Sequence, residues 1–136
     1  MFPLEFFVEG APKSSGASSL TRELWKAKVR DTARGRVRET VDWSLLDGRR
    51  IAVTIYYFSL SAMEGDVDNI IKPILDAMIA VAYPDDRVVE RLLVQKFEPD
   101  MQWSFGETSE TLANALRTEA PVVYIRVDDD LSWRVL

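Results

Sequence analysis

The chain contains no cysteine and no histidine. The first absence removes disulfides, thiolate metal ligands and a cysteine nucleophile together. The second removes imidazole zinc sites, the serine–histidine triad and histidine general-base catalysis, so any chemistry rests on carboxylates, lysine and oxygen-loving metals. Long apolar runs are missing too: no segment approaches the roughly 18 uninterrupted apolar residues that would span a bilayer. The opening MFPLEFFVEG has no basic region ahead of its apolar residues and carries Glu5 and Glu9, which is unlike a signal peptide. A soluble, cytoplasmic protein is the expectation.

What is present is 136 residues at 47% hydrophobic content, enough for one domain over residues 1–136 with a real core. Net charge is −5, but the average hides a polarity along the chain. Residues 22–50 hold nine basic side chains against five acidic ones, whereas Glu98 to Asp130 carries eight acids and two arginines.

Short runs of large apolar and β-branched residues predict strands at Pro3 to Val8, Ile51 to Leu60, Val88 to Phe97 and Val122 to Val127. GAPKSSGASS, from Gly10 to Ser19, has the composition of a mobile surface loop. A helix capped at Ser19 or Thr21 follows, with Leu20, Leu24 and Ala27 to Val29 at helical spacing, running to about Gly35. Residues 40–50 read as a connector ending in the Asp47-Gly48 turn signal. Ile70, Ile71, Ile74, Leu75, Met78, Ile79 and Ala82 form the apolar stripe of a second helix that Pro84 closes. Pro73 is tolerated only in a first turn, so that helix starts near Asn69 or Ile70. A short helix over Thr108 to Leu116 completes an α+β pattern: one mixed sheet of about four strands packed with two main helices.

The stretch GDVDNIIKPILDAM, Gly65 to Met78, followed by YPDDRVV, places Asp66, Asp68, Asp76, Asp85 and Asp86 within about twenty residues, with Lys72 among them. A helix of about 14 residues is ~21 Å long, so the two acidic groups meet only if the strand after Asp86 returns beside the one that ends near Leu60. Carboxylates brought together repel by roughly 1 to 4 kcal/mol per pair, and a hard divalent cation relieves that repulsion. Plainer readings compete. Aspartate before a helix is commonly an N-cap, Asp85-Asp86 after proline commonly a turn, and Lys72 can ladder with Asp68 and Asp76 at i, i+4 spacing.

The run Asp66-Val67-Asp68-Asn69-Ile70-Ile71-Lys72, then Asp76, then Asp85-Asp86 before Val88-Val89 and Gln95-Lys96, resembles the RusA family of Holliday-junction resolvases. Those are phage- and prophage-associated, magnesium-dependent, homodimeric endonucleases that nick four-way DNA junctions. The resemblance implies a RusA-like fold. It further implies that Asp66, Asp68 and Asp86 bind Mg²⁺, with Mn²⁺ as substitute, and that Lys72 is the essential lysine. Asn69, Asp76 and Asp85 fall in supporting positions. In a strand only one of Asp85 and Asp86 faces inward, and the resemblance selects Asp86.

On that reading Lys13, Arg22, Lys26, Lys28, Arg30 and Arg34 are the side chains expected to meet DNA phosphates, against the plainer view of a solvated amphipathic helix. Leu24, Trp25, Val29, Trp103 and Phe105 read as core or dimer interface rather than base-stacking wedges. Paired nicks across a two-fold junction imply a symmetric dimer. The competing function is a catalytically inactive module of the same fold that only holds branched DNA. A nucleotide-sugar enzyme using Asp-x-Asp and a purely protein-binding factor with an acidic tail are further alternatives.

Overall fold

The computed structural model describes residues 3–39, 49–63 and 65–130, so the connector expected over 40–50 lies almost wholly outside the described residues. Four strands, β1 (Leu4–Glu9), β2 (Ile51–Phe58), β3 (Val89–Phe97) and β4 (Val122–Asp128), form one mixed sheet in the order β1-β4-β2-β3. Three helices accompany it: α1 (Ser19–Glu39), α2 (Ile71–Met78) and α3 (Glu110–Arg117). Single 3₁₀ turns stand at Val67–Ile70 and Asp86–Val88. This is the expected α+β arrangement of a mixed four-stranded sheet, with the short third helix in addition to the two main ones.

The central strands β2 and β4 pair antiparallel, and their near-continuous apolar sequences are buried almost throughout. Period-2 alternation gives the sheet two different faces. On one, Leu4, Phe6, Val8, Val53, Ile55, Val123, Ile125 and Val127 pack with Trp25, Val29 and Ala33 of α1 and Ile74, Ala77 and Met78 of α2. Each fully buried large side chain there contributes roughly 1.5–3 kcal/mol of burial. The other face is aromatic. Phe58 stacks on Phe97 at 4.9 Å, and Tyr56, Trp103 and Phe105 complete the cluster under α3. Ser109 caps α3 by accepting from the Leu112 amide, and its hydroxyl donates to Glu5 Oε2, which ties the helix to β1.

Several elements depart from the sequence expectation. Helix α1 docks through a narrow i, i+4, i+8 stripe of Trp25, Val29 and Ala33, leaving Leu20 and Leu24 exposed at 70% and 64%. The bulkier indole takes the core position, and Leu24, one residue earlier on the helix, is rotated away from it. The helix also passes Gly35 and reaches Glu39, because Val37 still packs on the core and Arg36 Nε donates to the Glu5 carbonyl at 2.8 Å. Strand β2 stops at Phe58, and Leu60 is solvent-exposed.

The largest difference is in α2. The apolar stripe continues to Ala82, but the helix ends at Met78. Ile79 is extended, Ala80 adopts a left-handed φ of 65°, and the Ala80 amide donates to the Tyr83 carbonyl at 2.7 Å. Val81, Ala82 and Tyr83 are buried by this compact reversal rather than by another helical turn. Pro73 sits in the first turn of α2, where a missing N–H costs nothing.

Candidate active site

Strands β2 and β3 pair in parallel, with Ile51 beside Val89 and Phe58 beside Phe97, so α2 runs back between them as a crossover. In chain order Asp66 lies beyond the end of β2 and Asp86 just before the start of β3, at opposite ends of that unit. Two features shorten the gap. Helix α2 has 8 residues, only ~12 Å of rise, and the reversal at Ala80 folds the Asp85-Asp86 segment back alongside it. In addition, the 3₁₀ turn carrying Asp68 packs against β3.

The loop that delivers Asp66 is tied from both sides. The Met63 amide donates to Glu98 Oε2 at 2.6 Å, and that bond holds the Glu98 carboxyl below the usual carboxylate range. Gly65 takes a positive φ of 79°, a conformation that favours glycine. On the other side the Ser15 amide donates to the Asn69 carbonyl at 2.9 Å, while Arg22 Nη1 donates to the Ser15 and Ala17 carbonyls. The serine-rich segment, expected to be a mobile loop, is therefore docked on the acidic turn. Between them lies an open cleft of about 580 Å³ lined by Ser14, Tyr57, Met63, Asp66 and Asn69 among others.

The capping interpretation of Asp66 and Asp68 does not hold. Asp66 occupies the N-cap position of the 3₁₀ turn but makes no side-chain capping bond, and Asp68 lies inside the first turn; both are exposed. The turn interpretation of Asp85 does hold: it accepts from the Arg87 amide at 2.9 Å, the main cause of its lowered pKa. Asp85 and Asp86 are not consecutive strand residues as expected. Asp85 precedes the second 3₁₀ turn and Asp86 begins it, so strand alternation does not apply to the pair.

Lys72 extends from the first turn of α2 and pairs with Asp76 Oδ1 at 3.0 Å and Asp86 Oδ2 at 3.1 Å. The expected ladder is thus half present: Asp76 joins, and Asp86 stands where Asp68 was anticipated. Hydrogen bonds that Lys72 donates to Asp76 and then to Asp86 raise its pKa, so the ammonium is charged at neutral pH. Beneath them Tyr83 is buried and donates to the Leu75 carbonyl at 2.7 Å. Burial first, then the charges of Asp86, Asp76 and Asp85, push its phenol far above the ordinary value. These three acids and Lys72 therefore form one electrostatic unit seated on Tyr83.

Among the described residues no three acidic side chains gather closely enough to hold a metal between them. Asp66 and Asp68 share one turn, and Asp86 is engaged by Lys72. The donor chemistry itself suits a hard divalent cation: the groups are carboxylates only, and Asp66 and Asp68 are exposed. Of the basic residues expected at DNA, Lys13, Lys28 and Arg34 are exposed, Arg34 with an i, i+3 contact to Asp31 at 3.6 Å. Arg22 braces the serine loop, Arg30 Nε donates to the Ala77 carbonyl at 3.1 Å and so clamps α1 to α2, and Lys26 is paired with Glu23. Sequence reasoning missed the pinning role of Glu98 and the seat provided by Tyr83. Glu98 directly follows the β3 run, and a charged residue ending a strand beside a loop was the available signal.

Among the described residues no helix is long and apolar enough to cross a membrane. No curated protein matches the chain. The family model described as endodeoxyribonuclease RusA matches residues 21–102, from α1 through both acidic turns to just beyond β3. With well over half of the chain matched, and the acidic turns inside the matched span, the protein belongs to the RusA endodeoxyribonuclease family.

Proposed function

We propose that this protein is a divalent-metal-dependent, structure-selective endodeoxyribonuclease that nicks Holliday junctions or related branched DNA as a homodimer. The observation carrying the reading is the exposed Asp66–Asp68 turn, uncapped and set at the lip of a cleft, with the Lys72–Asp76–Asp86 unit on the adjoining helix, in a chain of this family. Asp66, Asp68 and Asp86 would hold the ion, Mg²⁺ or Mn²⁺. When bound, it would supply an activated water and neutralise a non-bridging phosphate oxygen.

Everything else falls to the side chains. Asp76 holds the Lys72 ammonium in place, so that Asp86 can exchange its partner without Lys72 losing its position. The Lys72 side chain is 63% exposed, so its ammonium is then available to a phosphate on which negative charge builds, an electrostatic role worth a few kcal/mol at such sites. Asn69 fixes the turn through its backbone bond to Ser15, and Asp85 fixes the second turn through Arg87. Exposed Lys13, Lys28 and Arg34 would neutralise phosphates of the arms, giving salt-dependent, largely sequence-blind binding.

The test is a labelled four-way junction incubated with the protein, with and without Mg²⁺. Metal-dependent nicking supports the enzyme. A second reading, an inactive module that only holds branched DNA, draws on the Lys72–Asp86 ion pair, which engages one of the proposed metal ligands. Junction binding without cleavage at any Mg²⁺ or Mn²⁺ concentration would select it.

A further inference from the structure

We propose that a groove between α1 and the Gly10 to Lys13 segment takes one unpaired nucleotide of a branched DNA, its base against Leu24 and its flanking phosphates on Lys13 and Lys28. The inference rests on the nuclease reading and adds a means of telling a branch point from continuous duplex. Helix α1 docks on the core through Trp25, Val29 and Ala33, whereas the row Leu20, Leu24 and Lys28, at i, i+4 spacing, is exposed. Leu20 is not part of the groove. Leu24 is: together with Ala11, Thr21 and the ring of Trp25 it walls a concavity of about 340 Å³. Gly10 keeps that space open. Its φ of 129° favours glycine, and a side-chain carbon there would come within 3.1 Å of Lys28 Nζ and 3.7 Å of Trp25 Cζ3.

Shape, charge and position together indicate the occupant. The groove has an apolar wall and two exposed ammonium groups, and among the described residues that line it none is acidic. That combination suits a flat ring carrying negative charge on either side, which describes a nucleotide within a strand. A base still stacked in duplex presents only its edges and cannot lay a face on Leu24, so duplex would meet the lysines alone. The groove also adjoins the candidate active site. Ala11 lines both it and the cleft at Asp66, and further along the same segment Lys13 lines the groove and Ser14 the cleft. The segment is held at both ends, by the Gly10 amide on the Pro121 carbonyl at 2.8 Å and the Ser15 amide on the Asn69 carbonyl at 2.9 Å. A strand with a phosphate at Asp66 thus has one fixed segment to cross before a neighbouring nucleotide reaches Leu24.

Fluorescence anisotropy of the full chain in EDTA, with a short labelled oligothymidylate and a labelled duplex of the same length, tests this without cleavage. Leu24→Ser should weaken binding of the single strand at least about fivefold and leave duplex affinity and the salt dependence of both unchanged, since no charge is lost. Lys28→Gln should reduce the slope of log affinity against log salt for the single strand by about 0.7, the share of one phosphate contact. Leu20→Ser, one turn away on the same exposed row, should change neither affinity, and far-UV circular dichroism checks that each variant is folded. Wild-type affinity of Leu24→Ser for the oligothymidylate, an equal loss on duplex, the same loss from Leu20→Ser, or an unchanged slope for Lys28→Gln would each overturn the proposal. The nuclease reading fails separately. A wild type that holds the single strand through Leu24 yet nicks no junction with Mg²⁺ keeps the groove and removes the enzyme, whereas one that nicks junctions and binds without Leu24 does the reverse.

Discussion

The two acidic turns of this protein are held in opposite ways. The Asp66–Asp68 turn is fixed through its backbone, by Glu98 on the Met63 amide and Ser15 on the Asn69 carbonyl, and both its carboxylates remain exposed. The Asp85–Asp86 turn is fixed through the carboxylates themselves, one on the Arg87 amide and one on Lys72. Holding a turn by its backbone leaves side chains available for a ligand; holding it by its side chains does not, unless a partner can be exchanged. On the proposed reading Asp66 and Asp68 would be the ready half of the site and Asp86 the half whose bond to Lys72 would have to rearrange.

The strongest way to break this contrast is Asp66→Asn beside Asp85→Asn. Removing a proposed metal ligand should lower junction nicking by on the order of 10²–10³-fold with binding retained or strengthened, since a negative charge near phosphate is lost. Asp85→Asn should change nicking by less than about tenfold, because a neutral amide oxygen still accepts from the Arg87 amide. Single-turnover rates and filter-binding affinities separate the two effects, and equal rates for wild type and Asp66→Asn would remove Asp66 from the site.

Lys72→Ala comes next. It deletes the cation shared by Asp76 and Asp86, so two carboxylates face each other uncompensated. Nicking should fall by about 10²-fold. If Lys72 acts only by occupying Asp86, higher Mg²⁺ will rescue the variant fully; a persistent deficit at saturating metal marks a direct role at the phosphate.

The contrast is sharpened by pH. The Glu98 carboxyl has a lowered folded pKa, so its bond to Met63 contributes stability that is fully present above the ordinary 4.5 and is lost as pH falls through the lower folded value. Lys72 behaves inversely. Its raised pKa means that its pairing is present below the ordinary 10.5 and fades only as pH rises beyond it. Between these limits both turns stay in place. Hydrogen exchange at the Met63 amide should therefore lose protection on acidification below about pH 4.5, and Glu98→Gln should remove that acid dependence.

How much of this was legible in the sequence follows from which forces act locally. The four strands were readable from short runs of apolar, β-branched and aromatic residues, and the apolar stripe of α2 from a helical spacing set by the backbone itself. The end of α2 was not: Ile79 and Ala82 keep the helical spacing, yet tertiary packing of Val81 and Tyr83 against the core takes the chain out of the helix at Met78. The acids were legible as neighbours in sequence, and the turn interpretation of Asp85 was correct. Asp66 offered the same sequence signal without the bond, because the adjoining loop is anchored from Glu98, 32 positions away in the chain. A charged residue ending a strand marks such an anchor, but nothing local names its partner across the chain. The same holds for Arg22 and Arg30, whose charge suggested DNA while their contacts are to carbonyls of the serine loop and α2.

The smallest expected effect concerns the reversal that returns Asp86 to Lys72. Ala80 holds a left-handed φ of 65° and is exposed, so its Cβ makes no packing contribution that would offset the strain. Glycine adopts that conformation without the roughly 1–2 kcal/mol penalty of an L side chain, though it loses more freedom on folding. Ala80→Gly should therefore stabilise the fold by about 0.5–1 kcal/mol, raising Tm by about 2–4 °C in calorimetry. A proline at position 80 should do the reverse, since its ring cannot reach a positive φ and the Ala80 amide would no longer donate to Tyr83. If the glycine variant instead melts lower, the reversal is held by its neighbours against no intrinsic strain, and the seat of the second turn is Tyr83 alone.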